Sequence, residues 1–186
     1  MPSHFDLLAP FYDRVMGAPA IDRLAQLMCL PIAGRVLEAG GGTGRKASLF
    51  QGQAGKVVVG DLSFPMLRAA QRRRGLGLVQ CRTERLPFAT ECFERILLAD
   101  ALHHFQNQTE ALGEAVRVLH PGGRLVIEEP DITKLSGKVI ALAERLFRMH
   151  SRFLSVEEIT TWISRQGLRP LVDRDDRVSV RIAVDK

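Results

Sequence analysis

Residues 36–45 read VLEAGGGTGR, and the order of residue types in this stretch decides the fold. An apolar strand-like run ends in an acid, Glu38, and glycines follow at positions 40, 42 and 44, directly before a helix-like segment. Strand, glycine turn and helix in that order make a corner of the kind that holds a nucleotide. Glycines at this spacing let the backbone turn tightly, approach a ligand closely and pack the helix on the strand.

Outward from the corner, strand-like and helix-like segments alternate. Arg35 to Ala39 is the first predicted strand, and a short helix runs from the corner to about Phe50. Lys56 to Gly60, KVVVG, is a β-branched run typical of a strand buried on both faces. Ser63 is a good N-cap for a helix that carries Met66, Leu67 and Ala70 and closes at Gly75. Leu76 to Cys81 and Phe93 to Ala99 are further strands, with Thr109 to Leu119 a helix broken by His120-Pro121-Gly122-Gly123. Arg124 to Glu128 is a fifth strand, and Ile132 to about His150 a long helical stretch. Ser155 and Glu158 have capping-box spacing and open a helix ending at Gly167. Leu168 to Asp173 and Arg177 to Val184 close the chain as strands. The turn between them is too short for a parallel crossover, so they form an antiparallel hairpin. The expected fold class is α/β: a doubly wound, mostly parallel seven-stranded sheet with a C-terminal antiparallel hairpin.

Before the first strand, Phe5, Leu8, Phe11, Tyr12 and Val15 share one side of a short helix, and Pro19 to Leu30 repeats the helical period. The chain of 186 residues fits one domain, 1–186, with a helical cap over 1–30 and a helical lid over 132–154. Its composition, 46% hydrophobic and 25% charged, is that of a soluble globular protein, and no apolar run approaches the length of a membrane helix. The N-terminus lacks the apolar core of a signal peptide, so a cytoplasmic protein is expected. Three scattered cysteines, Cys29, Cys81 and Cys92, show no metal-ligand or disulfide spacing and are expected as buried small residues. No metal site is expected. Net charge is +5, with Arg72-Arg73-Arg74 read as a solvated helix end.

Several stretches resemble the class I S-adenosylmethionine-dependent methyltransferases, in the type 11 branch that includes the quinone-biosynthesis methyltransferases. They are Glu38 to Gly44, Asp61-Leu62-Ser63-Phe64-Pro65-Met66-Leu67, Glu84-Arg85-Leu86-Pro87-Phe88 followed by Phe93-Glu94, Leu102-His103-His104, and Arg117 to Gly123. Phe5 to Asp13 resembles the family's entry segment. The resemblance implies S-adenosylmethionine as cofactor, S-adenosylhomocysteine as product, and methyl transfer to a small, apolar or aromatic acceptor at O or C. It implies that Glu38 supports the methionine end of the cofactor, with Ala39, Gly40, Gly41 and Gly42 lining that end and Tyr12 closing over it. Asp61 follows Gly44 by 17 residues, near the spacing of an acid that holds a ribose diol. Leu62 and Met66 are expected against adenine, Met66 serving equally well as core. Thr83, Glu84 and Ala99 complete the expected cofactor contacts. The family usually has an acid at the position of Arg82, accepting from the adenine amino group. Arginine has no acceptor, so that contact is not copied here.

Methyl transfer from a sulfonium needs little from the protein beyond in-line approach in a dry site. His103 and His104 are the candidate bases, His103 the preferred one; the alternative for each is to pack inward and bond a neighbouring loop. Glu128, Glu129 and Asp131 are further candidates. The segment from Ile132 to Phe153 packs on the sheet flank or forms a hydrophobic lid, with Arg145, Arg148 and Arg152 facing an anionic group or water. The corner lacks the Gly-x-Gly-x-x-Gly spacing of a nicotinamide enzyme and the lysine of a P-loop. An RNA-modifying methyltransferase and a cofactor-binding protein without catalysis are the alternative readings.

Overall fold

A computed structural model describes residues 21–134, 138, 152–174 and 179–186. A seven-stranded sheet has the order β3-β2-β1-β4-β5-β7-β6. Its strands are β1 (Ile32–Ala39), β2 (Ala54–Asp61), β3 (Leu76–Gln80), β4 (Phe93–Ala99), β5 (Leu119–Pro130), β6 (Arg169–Arg174) and β7 (Ser179–Asp185). The first five pair in parallel. β7 slots between β5 and β6 and runs antiparallel to both. The expected α/β sheet with its terminal hairpin is therefore the observed one. The order reverses beside β1: the chain steps outward to β2 and β3, then crosses to β4. That reversal opens a crevice at the carboxyl ends of β1 and β4.

Alternation sends successive side chains to opposite faces of the sheet. Leu37, Ile96, Leu98, Leu125, Ile127 and Ile182 share one core with α3 (Gln108–Val118) and α4 (Val156–Arg165). Val36, Val57, Val59, Leu97 and Val126 pack the other face with Phe50 and with Leu24, Leu27 and Met28 of the α1 region (α1, Ile21–Leu27). α2 (Phe64–Ala70) connects β2 to β3. Each fully buried aliphatic side chain contributes about 1.5–3 kcal/mol of burial free energy.

Local signals set the element ends. Ser63 caps α2 by accepting from Met66 N–H at 3.3 Å. Ser155 and Glu158 form the expected capping box on α4, at 3.1 and 2.7 Å. Gly167, at φ +79°, follows α4.

Some expected bounds shift. β1 starts three residues early because Ile32 pairs with Ala54 across a bulge. β5 starts at Leu119 rather than Arg124: Gly122 N–H donates to Lys186 O at 2.7 Å and Lys186 N–H to Gly123 O at 3.1 Å, drawing the Pro-Gly-Gly turn into the sheet. The helix expected after the corner is only a 3-10 turn, Ala47–Phe50, because Gly52 leaves no room for a second turn. The cysteines are not the buried residues expected: Cys29 is exposed, Cys81 and Cys92 are only partly buried, and all three are free thiols. Arg72 and Arg74 are exposed just beyond α2, as a solvated helix end should be. Tyr12, the first predicted helix, Arg145, Arg148 and most of the expected lid lie outside the described residues.

Candidate active site

The corner forms because three glycines take a left-handed backbone: Gly40 at φ +71°, Gly42 at +54° and Gly44 at +66°. An L-residue there costs about 1–2 kcal/mol. Gly40 is also hemmed in: a Cβ on it would lie 2.8 Å from the Ala101 methyl and 2.9 Å from the Phe105 ring. At Gly42 the nearest atom would be the Met66 sulfur, 3.9 Å away, so the backbone there stays open to a ligand. The N–H groups of Gly40 and Gly41 donate to Gly60 O at 2.8 and 3.2 Å, fastening the turn to the end of β2.

Asp61, at that end, accepts from Gly42 N–H at 2.7 Å and from Ser63 N–H at 2.8 Å. One carboxylate thus aligns the glycine turn with the cap of α2. A carboxylate offers about four lone-pair positions, so this is compatible with accepting from a diol. Leu62 and Phe64, both more than half exposed, flank it as an apolar rim. Phe64 carried no expectation; an exposed aromatic at a helix start was its only signal. Met66 is almost wholly buried beneath the corner.

A cleft opens above the turn, lined by Glu38, Gly40, Gly41, Gly42, Thr43, Arg45, Lys46, Ala99 and Asp100. Ala39 is fully buried under it. Glu38 is also buried, and its carboxylate accepts from Ala47 N–H at 2.8 Å, capping the 3-10 turn. Burial pushes the Glu38 carboxyl up to about 7 against the pull of Lys46, of the Ala47 N–H and of Arg45. Glu38 therefore forms part of the buried floor of the cleft, with Oε2 held by the 3-10 turn.

Lys46, Arg45, Thr43 and Asp100 were not anticipated. Lys46 Nζ sits 2.7 Å from Asp100 Oδ2 and 2.5 Å from Glu128 Oε1, and Arg181 Nε lies 2.5 Å from Glu128 Oε2. Burial pulls the lysine down, but Asp100 and Glu128 outweigh it and hold the ammonium above the ordinary lysine range. These partners stand 54 and 82 residues from Lys46, so no local pattern announces the cluster.

At the adenine end, Arg82 donates to Gln106 Oε1 at 2.6 Å and lies 3.8 Å from Glu84. Glu84 in turn accepts from Gln106 N–H at 2.9 Å. The departure from the family pattern therefore ties the loop after β3 to the loop before α3. Thr83 is buried beside it.

His103 and His104 lie in a 3-10 turn, Leu102–His104, after β4. The His103 ring is buried, stacked on Phe153 at 4.5 Å and tilted against His104 at 3.9 Å. Its Nδ1 bonds Glu129, whose other oxygen accepts from Leu102 N–H at 2.9 Å and Ala101 N–H at 3.2 Å. The inward packing and the oriented imidazole are thus the same arrangement. Of the acids at the end of β5 and just beyond it, Glu128 is held by two cations. Asp131 is held by Thr133 and by Arg174 at 3.0 Å. Glu129 also lines an apolar cavity among the end of β5, β7 and α4, with Ile127, Pro130, Leu154, Val156, Ile159 and Ile182. Glu129 thus joins the β4 turn to the wall of this cavity.

Known proteins resemble the chain in sequence and in fold. The profile of a family described as a methyltransferase domain matches residues 37–127. Ubiquinone/menaquinone biosynthesis C-methyltransferases are similar in sequence. That of Coxiella burnetii is 36% identical over 105 residues, 51% of this chain and 42% of the relative. That of Bordetella parapertussis is 36% identical over 132 residues, 67% of this chain and 50% of the relative. The chain thus spans about half the length of the curated relatives it matches. Among solved structures, an S-adenosylmethionine-dependent methyltransferase of Thermotoga maritima superposes with a TM-score of 0.80 at 24% identity, covering 98% of this chain and 97% of that one. One from Aquifex aeolicus gives 0.73 at 15% identity, covering 90% and 89%. The segment that matches the methyltransferase-domain family holds the glycine corner, Asp61, the β4 turn and most of β5.

Proposed function

We propose that the protein transfers a methyl group from S-adenosylmethionine to a small apolar or aromatic acceptor, at carbon in the first instance. The observation that carries this is the corner itself: an open glycine backbone with an acid at each side, Asp61 and Asp100, beside an apolar cavity. When bound, the cofactor supplies a methyl already activated on sulfonium sulfur. The residues present fit it. Asp61 takes the ribose diol, with Leu62 and Met66 toward adenine, Thr83 and Glu84 at the adenine edge, and Ala39, Gly40, Gly41, Gly42 and Ala99 along the methionine end.

The names of the sequence relatives support carbon as the atom methylated. The apolar cavity supports an acceptor with a hydrocarbon body. In this reading His103, oriented by Glu129, takes the hydroxyl proton that makes an aromatic ring nucleophilic, and His104 lies on its more open side. Incubation with donor carrying a labelled methyl and a panel of phenols, naphthols and quinols tests the acceptor class, with transfer RNA as comparison. Label on ring carbon is expected. Label in RNA alone would show the acceptor class to be wrong.

A further inference from the structure

Asp100 is the acid most exposed to the cleft. It has a left-handed backbone at φ +51°, its N–H donates to Glu128 O at 2.9 Å, and its side chain is 26% exposed. Such a backbone persists where its surroundings overdetermine it. Lys46 supplies that constraint by holding Oδ2 at 2.7 Å. Oδ1 has no partner among the described residues. Glu128 does not compete for the role, because Lys46 and Arg181 hold both its oxygens, and Glu38, though it lines the cleft, is 3% exposed and turns Oε2 to Ala47 N–H.

The placement matters. Asp61 ends β2, the glycines follow β1 and Asp100 follows β4, on three adjacent strands in the order β2-β1-β4. Neighbouring strands stand about 4.8 Å apart, so the two acids flank the glycine turn at roughly 10 Å from one another. The path of bonds from the ribose hydroxyls of the methyl donor to its α-nitrogen spans a similar length. With Asp61 on the ribose, the α-ammonium reaches the lip that Asp100 occupies.

We propose that Asp100 receives the α-ammonium of the methyl donor and that Lys46 is the positioning residue that presents it. This rests on the methyl-donor reading above. Lys46 fixes one carboxylate oxygen and so aims the other.

The test is calorimetry on the whole chain with three ligands: S-adenosylhomocysteine, its decarboxylated form (which keeps the amine), and 5′-methylthioadenosine, which lacks the amino-acid end. Lys46→Met is expected to weaken the first two by about tenfold or more, the scale of a charge-assisted hydrogen bond. It is expected to leave 5′-methylthioadenosine within about twofold, and Lys46→Arg recovers most of the loss. Asp100→Asn repeats the pattern with the lysine intact, and decides the matter should Lys46→Met fail to fold. Equal weakening of all three ligands would make Lys46 a strut of the fold and overturn the assignment. Weakening of S-adenosylhomocysteine without the amine analogue would move Lys46 onto the carboxylate and overturn it too. Failure of the unaltered chain to bind any of the three would instead overturn the methyl-donor reading.

Discussion

Single acids set the behaviour of the cleft, and Glu38 carries the sharpest pH signature among them. Its carboxyl titrates at about 7 in the fold against 4.5 ordinarily. Between those values the native state keeps a proton that the unfolded chain has lost. Its contribution to stability therefore falls as pH rises through that window and is level above it, by on the order of 3 kcal/mol. Asp131, Asp173 and Asp185 are held below 3.8 by their partners, so their opposite effect lies at lower pH. Denaturant midpoints at pH 5 and pH 8 should show a larger loss for the unaltered chain than for Glu38→Gln. Equal losses would remove Glu38 as the source. Asp61→Ala should weaken S-adenosylhomocysteine by at least about tenfold, since a charged hydrogen-bond acceptor is lost. Unchanged affinity would take Asp61 off the ribose. His103→Asn should lower turnover of a phenolic acceptor by about a hundredfold or more with cofactor affinity intact; full turnover would exclude His103 as base.

At the scale of elements, the glycine turn makes a contrast between two positions only two residues apart. Gly40→Ala drives a methyl into Ala101 and Phe105 in a left-handed backbone, so its main effect should be on stability, a loss above about 1–2 kcal/mol. Gly42→Ala shares the left-handed penalty but meets only the Met66 sulfur, at 3.9 Å, so it should cost less stability than Gly40→Ala and fall more heavily on ligand affinity. Thermal melts with and without S-adenosylhomocysteine separate the two; identical profiles would mean that the turn faces no ligand. Elements of this kind were legible because their causes are local. Ser63 and Ser155 announced helix starts, and the β-branched run at 57–59 announced a strand buried on both faces. The charge cluster was not legible, because Lys46, Asp100, Glu128 and Arg181 meet only through the register of β4, β5 and β7. Arg82 was legible as a departure from pattern, but its partner Gln106 lies across a loop and gave no signal.

At the scale of the molecule, an ionic path joins the cleft to the far edge of the sheet. Lys46 meets Glu128, Glu128 meets Arg181, Arg181 lies 3.9 Å from Asp173, and Asp173 holds Arg23 of α1 at 2.6 Å. The sheet order that aligns these partners also opens the crevice, so fold and site share one cause: the crossover from β3 to β4. No helix of the described residues is long and apolar enough to cross a membrane. The net charge of +5 makes RNA the natural comparison partner, and its binding would fall steeply with salt. The central claim is that the corner holds the methyl donor, and calorimetric titration of the folded chain with S-adenosylhomocysteine tests it most directly. The expected result is saturable one-to-one binding that Asp61→Ala weakens by at least about tenfold. The absence of binding at millimolar ligand, with the chain shown to be folded, would contradict it.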